Sequence, residues 1–315
     1  MTFINPKCIN DLVIIDGLTR SGKFYLGKLI SYIHGLEYFL NSSEMERSIQ
    51  MYEVGMLKRP DALLTFPLMI NESIYNMAIG RNLNMKHGDG SSVLNSFEKD
   101  LYINRQRKVK DGEFLVKELI NHGRASVFLL HNSLKSLELF IEIAPNLKII
   151  NIRRHPIDLA YSWIQRGWGD RFENDPLSFD LVIDKNGPVP YFAKEWADEY
   201  LNANEFDKVI LSIINLQEAE NLEIDKNNFD ICSIFYENLV LHANQEMMRI
   251  CRYLDRSPHK DLQNKILKET RDVELQSERE MKIDYLSEGA KNLDFLDKLI
   301  DSGEKYDKNL SATFK

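Results

Sequence analysis

Two groups of basic residues, each directly after an apolar segment, are the parts of this sequence best suited to chemistry. The segment 17–36 contains no acidic residue, and its basic residues are Arg20, Lys23 and Lys28. Between residues 147 and 171 basic residues outnumber acidic ones; they are Lys148, Arg153, Arg154, Arg166 and Arg171. Such side chains, together with the free N–H groups of helix starts, bind phosphate and sulfate groups. Two such groups suit a ligand that carries phosphates at both ends.

The first basic group lies in the segment GLTRSGKF, residues 17–24. This segment matches the phosphate-binding pattern G-x-x-x-x-G-K, but Phe24 stands where a Ser or Thr would hold Mg²⁺. Arg153 and Arg154 also stand at the strand end where a nucleotide triphosphatase would place a metal-binding Asp. The pattern predicts a phosphate cradle without a metal site; a plain turn between strand and helix is the alternative.

Alternating strand-like and helix-like segments must position these groups. The apolar, β-branched segments cover 11–16, 125–130, 147–152 and 229–235, and the helical patterns after them cover 23–34, 133–143, 156–165 and 239–254. This alternation predicts an α/β fold with a central parallel sheet covered by helices. Both basic groups then lie at the carboxyl ends of strands, where open α/β sheets bind ligands. We expect a single domain, 1–315, with a helical insertion over about 36–122 and a mobile end over about 303–315.

Composition narrows the class of protein. The chain has 315 residues, 43% hydrophobic and 28% charged, with a formal net charge of −8. This balance is typical of a globular protein and opposes a nucleic-acid partner. Three scattered cysteines (Cys8, Cys232 and Cys251) predict neither a disulfide framework nor a zinc site, and they fit a reducing compartment. No apolar run approaches the roughly 18 residues that span a membrane. We therefore expect a cytoplasmic enzyme without a membrane span.

Three motifs resemble those of the sulfotransferases that use 3′-phosphoadenosine 5′-phosphosulfate (PAPS). Residues 19–25, TRSGKFY, are similar to the family's first motif, x-[KR]-S-G-T-T followed by an apolar residue. Residues 149–162, IINIRRHPIDLAYS, resemble its second motif, an apolar strand followed by R-[ND]-P-x-D-x-x-x-S. Residues 235–240, FYENLV, are similar to its Y-E-D-L segment, and the order of the three is that of the family.

The resemblance implies a P-loop NTPase-like three-layer fold and PAPS as the donor, with no metal required. It assigns the 5′-phosphosulfate end to the backbone N–H groups of five consecutive residues: Arg20, Ser21, Gly22, Lys23 and Phe24. Arg20 would stabilise charge as the sulfuryl group transfers, and Tyr25 would stack on adenine or pack as a core aromatic. It assigns the 3′-phosphate to Arg154 and Ser162. The departure from the family is Lys23 and Phe24, which replace a Thr-Thr pair.

A base must take the proton of the acceptor. His131 directly follows the segment 125–130, and the segment FLLH resembles the F-K-T-H of cytosolic family members. Histidine titrates near neutral pH, which suits this role; the alternative is that His131 helps to cap the next helix. Other branches of the family use a glutamate, so the rival bases are Glu37, Glu44, Glu46 and Glu53. Arg271 and Arg279 lie where some members place a further 3′-phosphate contact.

The sequence therefore predicts transfer of a sulfuryl group from PAPS to a hydroxyl or amine of an unidentified small-molecule or glycan acceptor. The loop region 166–190, with Trp168 and Phe172, would line the acceptor pocket, form a lid, or simply pack on the body. A nucleotide-dependent kinase and a non-catalytic binder of 3′,5′-diphosphoadenosine-type nucleotides are the alternative functions. The oligomeric state stays open.

Overall fold

The computed structural model describes residue 4 and residues 6–107, 111–144, 146–226, 229–269 and 278–313. Its strands are β1 (Leu12–Asp16), β2 (Leu40–Asn41), β3 (Ser126–Leu129), β4 (Lys148–Arg153), β5 (Val182–Asp184), β6 (Pro188–Pro190) and β7 (Ile231–Phe235). Its helices are α1 (Lys23–Ile30), α2 (Ser43–Glu53), α3 (Arg59–Ala78), α4 (Lys99–Arg107), α5 (Gly112–Asn121), α6 (Leu137–Ile143), α7 (Pro156–Ile164), α8 (Arg171–Asn174), α9 (Ala197–Asn202), α10 (Glu205–Lys226), α11 (Tyr236–Leu241), α12 (Ala243–Leu254), α13 (Leu262–Glu269), α14 (Arg279–Gly289) and α15 (Leu293–Ala312).

A five-stranded parallel sheet in the order β2-β3-β1-β4-β7 forms the centre of the molecule. The predicted α/β class is confirmed, and the four predicted strands are the four long strands of this sheet. The register aligns Ile15 with both Leu129 and Ile150, so β1, β3 and β4 end at nearly the same level. The chain segments that follow these three strands therefore meet at one edge.

The strands are apolar on both faces because helices cover both sides of the sheet. Val13 and Ile15 pack into one core with residues of α1 and α12, whereas Leu12 and Ile14 pack into a second core with residues of α3 and α6. Every residue of β1 is buried. This double burial explains why the strand reads as a continuous apolar run rather than an alternating one.

The segment 36–122 is largely helical, as predicted, but it also contributes strand β2 at the edge of the sheet. The buried Glu37 carboxylate anchors the segment, because it is paired with the guanidinium groups of Arg105 and Arg124. A second short pairing, β5 with β6, lies in the region 166–190 that the sequence predicts as loop. These strands have only two or three residues each, too few to produce a recognisable alternation.

The chain from 303 to 312 belongs to the end that the sequence predicts to be mobile. It forms the last turns of α15, in which Gly303 and Tyr306 are buried. The Tyr306 hydroxyl donates to the Glu237 carboxylate, and it lies 3.2 Å from the Arg153 carbonyl oxygen. The segment is polar overall, but it contains buried residues at helical spacing, which are Leu296, Leu299, Gly303 and Tyr306. Residues 314 and 315 lie outside the described residues.

Candidate functional site

A cleft of about 500 Å³ opens at the edge of the sheet where β1 and β4 end. We call it the loop cleft; its walls include Arg20, Lys23, Tyr25, His131, Arg154 and Tyr236. All three basic residues of the first group, and Arg154 of the second, therefore share one cleft. This is the arrangement that two anion-binding loops on neighbouring parallel strands predict.

The loop after β1 turns sharply into α1. The backbone has positive φ at Arg20 (+74°) and at Gly22 (+102°). A side chain at Gly22 would collide with the ring of Tyr236, so glycine is required there by both conformation and space. The first N–H groups of α1 have no partners within the helix and belong to the wall of the cleft. The loop thus presents backbone donors suited to an anion.

Lys23 lies in the wall of the loop cleft, but its ammonium group turns back onto the loop. It donates to the carbonyl oxygens of Gly17 and, at 2.8 Å, of Leu18. Burial lowers the pKa of Lys23 to about 8, and burial raises the pKa of the neighbouring Asp16 to about 6. In this structure Lys23 therefore fixes the shape of the loop in addition to placing charge beside it.

The other predicted loop residues fall into two groups. Phe24 and Tyr25 line the cleft, and Phe24 also packs edge-on against Phe39 with ring centroids 5.8 Å apart. Tyr25 also packs against the apolar core, so both of its predicted roles are compatible with its position. The Ser21 hydroxyl is buried and has no hydrogen-bond partner among the described residues.

Arg154 faces the loop cleft from the end of β4. Its Nη1 donates to the carbonyl oxygen of Arg20 at 3.0 Å, and its guanidinium carbon lies 4.9 Å from the centre of the Tyr236 ring. Arg153 points to the other side and lies 3.5 Å from the buried Glu220 carboxylate. Strand alternation separates the two neighbours: one serves the cleft and the other braces the sheet against α10.

Ser162 does not line the loop cleft. It is buried on α7, and its hydroxyl accepts a hydrogen bond from Arg166 Nη1 at 3.0 Å. Asp158, on the same helix, lies 2.7 Å from Lys282 and 3.6 Å from Arg279. Asp158 thus braces α7 against α14. Arg279 belongs to this brace rather than to the cleft, and Arg271 falls outside the described residues.

His131 follows β3 and stands between the loop cleft and a second cavity, because it lines both. Its Nδ1 lies 2.6 Å from the Glu46 carboxylate on α2. Burial and the charge of Lys23 lower the pKa of His131. The helix-capping alternative is not observed, because the Asp16 carboxylate accepts the N–H of Ser133 that opens the next turn. A neutral ring whose Nδ1–H is held by Glu46 presents Nε2 as a proton acceptor.

The rival glutamates are separated by their surroundings. Glu37 is committed to two arginines, and Glu44 is exposed. Burial raises the pKa of Glu53 to about 8, and this carboxyl group lies in a different cavity with Lys135. Of the four, Glu46 is the one beside the loop cleft. The histidine and glutamate alternatives of the sequence therefore converge on one pair.

The second cavity, of about 560 Å³, shares Thr19, His131 and Trp168 with the loop cleft. We call it the side cavity; its aromatic lining consists of Trp163, Trp168, Phe172, Phe179, Tyr191 and Phe192. Trp163 is fixed by a hydrogen bond from its indole N–H to the Thr19 carbonyl oxygen, 3.0 Å away. The region 166–190 thus lines a cavity, and its Trp168 and Phe172 also pack on the body of the molecule, so two of its three predicted roles are compatible with the structure.

Two contributors to the cleft, Tyr236 and Glu269, were missed by the search for basic motifs. Tyr236 is present in the segment FYENLV, but only the fold brings it onto Arg154. Lys28 and Glu269 also line the cleft and form an ion pair of 3.1 Å between α1 and α13. No spacing in the sequence relates residues 28 and 269, so that pair could not be foreseen.

A family model of the sulfotransferase domain matches residues 10–308. The chain therefore belongs to the sulfotransferase domain family. A search of curated proteins finds no match. No described helix combines the length and the apolar character that crossing a bilayer requires.

Solved structures of similar proteins are also sulfotransferases. STF9 from Mycobacterium avium is 12% identical with a TM-score of 0.49, covering 95% of this chain and 77% of that one. The sulfotransferase domain of the curacin biosynthetic pathway is 12% identical with a TM-score of 0.47, covering 97% of this chain and 99% of that one. Mouse SULT7A1, complexed with PAP, is 13% identical with a TM-score of 0.35, covering 94% of this chain and 90% of that one.

Proposed function

We propose that the protein transfers a sulfuryl group from PAPS to a hydroxyl or amine of a small-molecule acceptor. The observation that carries this proposal is the position of His131, on the wall shared by the loop cleft and the side cavity. A group transfer needs a donor and an acceptor that meet at a base, and these two cavities meet at an imidazole. The family of the chain supports the same type of reaction.

The residues of the loop cleft fit a nucleotide with phosphates at both ends. The N–H groups at the start of α1, with Arg20, suit the 5′-phosphosulfate. Arg154 suits the 3′-phosphate, since its guanidinium offers a planar fork of donors. Two buried groups lack partners among the described residues, the Ser21 hydroxyl and Arg154 Nε. Buried polar groups normally have partners, and anionic oxygens in the cleft would supply them.

The reaction breaks one S–O bond and forms a new bond from sulfur to the acceptor, S–O for a hydroxyl and S–N for an amine. The acceptor oxygen or nitrogen attacks the sulfur atom in line with the bridging oxygen of the phosphosulfate, and that bridging bond breaks. The proton of the acceptor passes to Nε2 of His131, while Glu46 holds the Nδ1–H. The leaving 3′,5′-diphosphoadenosine (PAP) keeps the electron pair, and Arg20 with the α1 amides stabilises its new charge. Lys23, through its hydrogen bonds to the Gly17 and Leu18 carbonyl oxygens, holds the loop after β1 in the conformation that presents these donors.

The base is tested by following ³⁵S from labelled PAPS into a panel of phenols, alcohols and amines. For His131→Ala we expect PAP binding to be retained and transfer to fall at least about 100-fold, the lower limit for a lost base. His122→Ala, at an exposed histidine capping α5, is the matched control and should transfer normally. Unchanged transfer by His131→Ala would exclude His131 as the base. PAP binding without transfer by the wild-type protein would instead indicate a non-catalytic binder.

A further inference from the structure

The side cavity has an aromatic part that suits a flat ligand. Phe172 and Tyr191 both pack edge-on against Phe192, with ring centroids 5.5 and 5.4 Å apart. Trp168 packs edge-on against Trp163, with centroids 5.5 Å apart. Interlocked rings of this kind form rigid walls, and aromatic side chains favour stacked or edge-on contact with another ring. The volume of about 560 Å³ is that of a site for one small molecule.

A second part of the lining carries carboxylates. Asp180 Oδ1 accepts a hydrogen bond from Gln50 Nε2 at 2.7 Å. Within the described part of the chain, Oδ2 of Asp180 has neither a hydrogen bond nor an ion pair. Glu46, which also lines the cavity, adds a second negative charge near Asp180. Burial raises the pKa of Asp180 to about 6, so its carboxyl group is largely ionised at neutral pH.

The basic residues of the lining are directed elsewhere. Arg171 donates to Asp175 at 3.1 Å and to the Leu177 carbonyl oxygen, and it lies over the Trp168 ring. Arg47 is exposed and donates to Ser43 Oγ at 3.2 Å. Neither arginine forms a salt bridge with Asp180, although the charge of Arg171 lowers the pKa of Asp180 against the larger effect of burial. A largely buried carboxylate without a directly bound cation is costly, and a cation supplied by a ligand would offset that cost.

We propose that the acceptor is an aromatic alcohol that carries a cationic amine. This inference rests on the proposed sulfotransferase function and deepens it. The hydroxyl group lies at His131, the ring lies among the aromatic side chains, and the ammonium group pairs with Asp180. Aromatic rings around a cation add further attraction. Anionic acceptors are disfavoured because they meet two carboxylates, and neutral acceptors leave Asp180 without a bound cation.

The test compares three phenols that share a ring and a reactive hydroxyl but differ in charge: tyramine (cationic), tyrosol (neutral) and 4-hydroxyphenylacetate (anionic). Transfer of ³⁵S from PAPS gives kcat/KM for each, and calorimetry gives their binding to the PAP complex. We expect kcat/KM for tyramine to exceed that for tyrosol at least about tenfold, as expected of one charge-assisted hydrogen bond. The anionic phenol should be the poorest of the three.

Asp180→Asn keeps the size of the side chain and removes its charge. We expect the tyramine-to-tyrosol ratio of kcat/KM to fall at least about fivefold, most of the advantage that one charged hydrogen bond supplies. Asp198→Asn removes an exposed carboxylate of α9 outside the side cavity and should leave the ratio as in the wild type. Calorimetry with PAP and thermal unfolding verify that each variant is folded.

The outcomes separate this inference from the proposed function. Failure of the wild-type protein to bind PAP would contradict the sulfotransferase proposal itself. Binding of PAP, combined with equal use of tyramine and tyrosol, overturns the acceptor class alone. The same conclusion follows if the PAP complex does not bind tyramine, or if Asp180→Asn keeps the wild-type ratio.

Discussion

The pairing of His131 with Glu46 is the contact on which the proposed chemistry depends most at the scale of single residues. The sequence offers His131 and four glutamates as rival bases, and the structure makes one glutamate the partner of the histidine. Sequence reasoning could place His131, because the end of a buried strand is easily recognised. It could not place Glu46, because its position depends on how α2 packs across the edge of the sheet.

We propose that Glu46 positions the ring of His131. The direction in which its removal shifts the pH profile can be predicted from the pKa of His131. The hydrogen bond and negative charge of Glu46 raise the pKa of His131, against the lowering by burial and Lys23, while Asp16 also raises it. Glu46→Gln should therefore shift the acidic limb of the kcat/KM profile to lower pH. It should also lower kcat, because the carboxylate no longer selects the Nδ1–H form of the ring.

The measurement is the pH dependence of ³⁵S transfer from 5 to 9, with Glu44→Gln, an exposed neighbour on α2, as the control. A purely structural role of Glu46 would reduce activity at every pH without moving the limb. An unmoved acidic limb would thus contradict the assignment.

At the scale of elements, the ends of β1 and β4 carry the two halves of the loop cleft. The long strands could be predicted because burial on both faces requires apolar, β-branched residues. Ser162 is the site residue for which the motif and the structure differ most. Its place in the motif implies a phosphate contact, whereas the rotation of α7 buries it and pairs it with Arg166. Helix orientation depends on tertiary packing that spacing alone does not encode.

Helix α15 supports the cleft from behind. The Tyr306 hydroxyl contacts the Glu237 carboxylate and the Arg153 carbonyl oxygen, and those two residues adjoin Tyr236 and Arg154 in the chain. Tyr306→Phe leaves a buried carboxylate short of one donor. We expect the free energy of unfolding to fall by about 1–3 kcal/mol, the usual cost of such a loss, and PAP binding to weaken.

Urea denaturation and PAP calorimetry measure these two effects. Tyr285→Phe, on α14, is the matched control, because within the described residues its hydroxyl has no hydrogen bond; it should behave like the wild-type protein. Wild-type stability and PAP affinity in Tyr306→Phe would show that α15 does not support the cleft.

At the scale of the whole molecule, the acidic chain concentrates basic side chains at one place. The net charge is −8, yet Arg20, Lys23, Lys28 and Arg154 all line the loop cleft. Salt screens charges beyond about 10 Å at ordinary ionic strength, so the local charges dominate what an anion meets. The acidic composition argues against a broad basic surface. The spacing of the motifs nevertheless indicated where basic side chains would cluster.

The segment 36–122 completes the enclosure of the cleft. Gly90 lies against Phe24, and the buried Glu37 anchors the segment beside β3. Its helical character could be predicted from periodicity. Its position over the cleft could not, because that depends on contacts between residues far apart in the sequence.

The central claim is that the loops after β1 and β4 hold opposite ends of one nucleotide. Calorimetry with PAP, AMP and ATP, without Mg²⁺, tests this directly on the wild-type protein and on Arg154→Ala. Lys148→Ala, at the opposite end of β4, is the control. We predict that PAP binds most tightly, and that Arg154→Ala lowers PAP affinity to that of AMP while Lys148→Ala does not. Equal binding of AMP and PAP by the wild-type protein would contradict the claim.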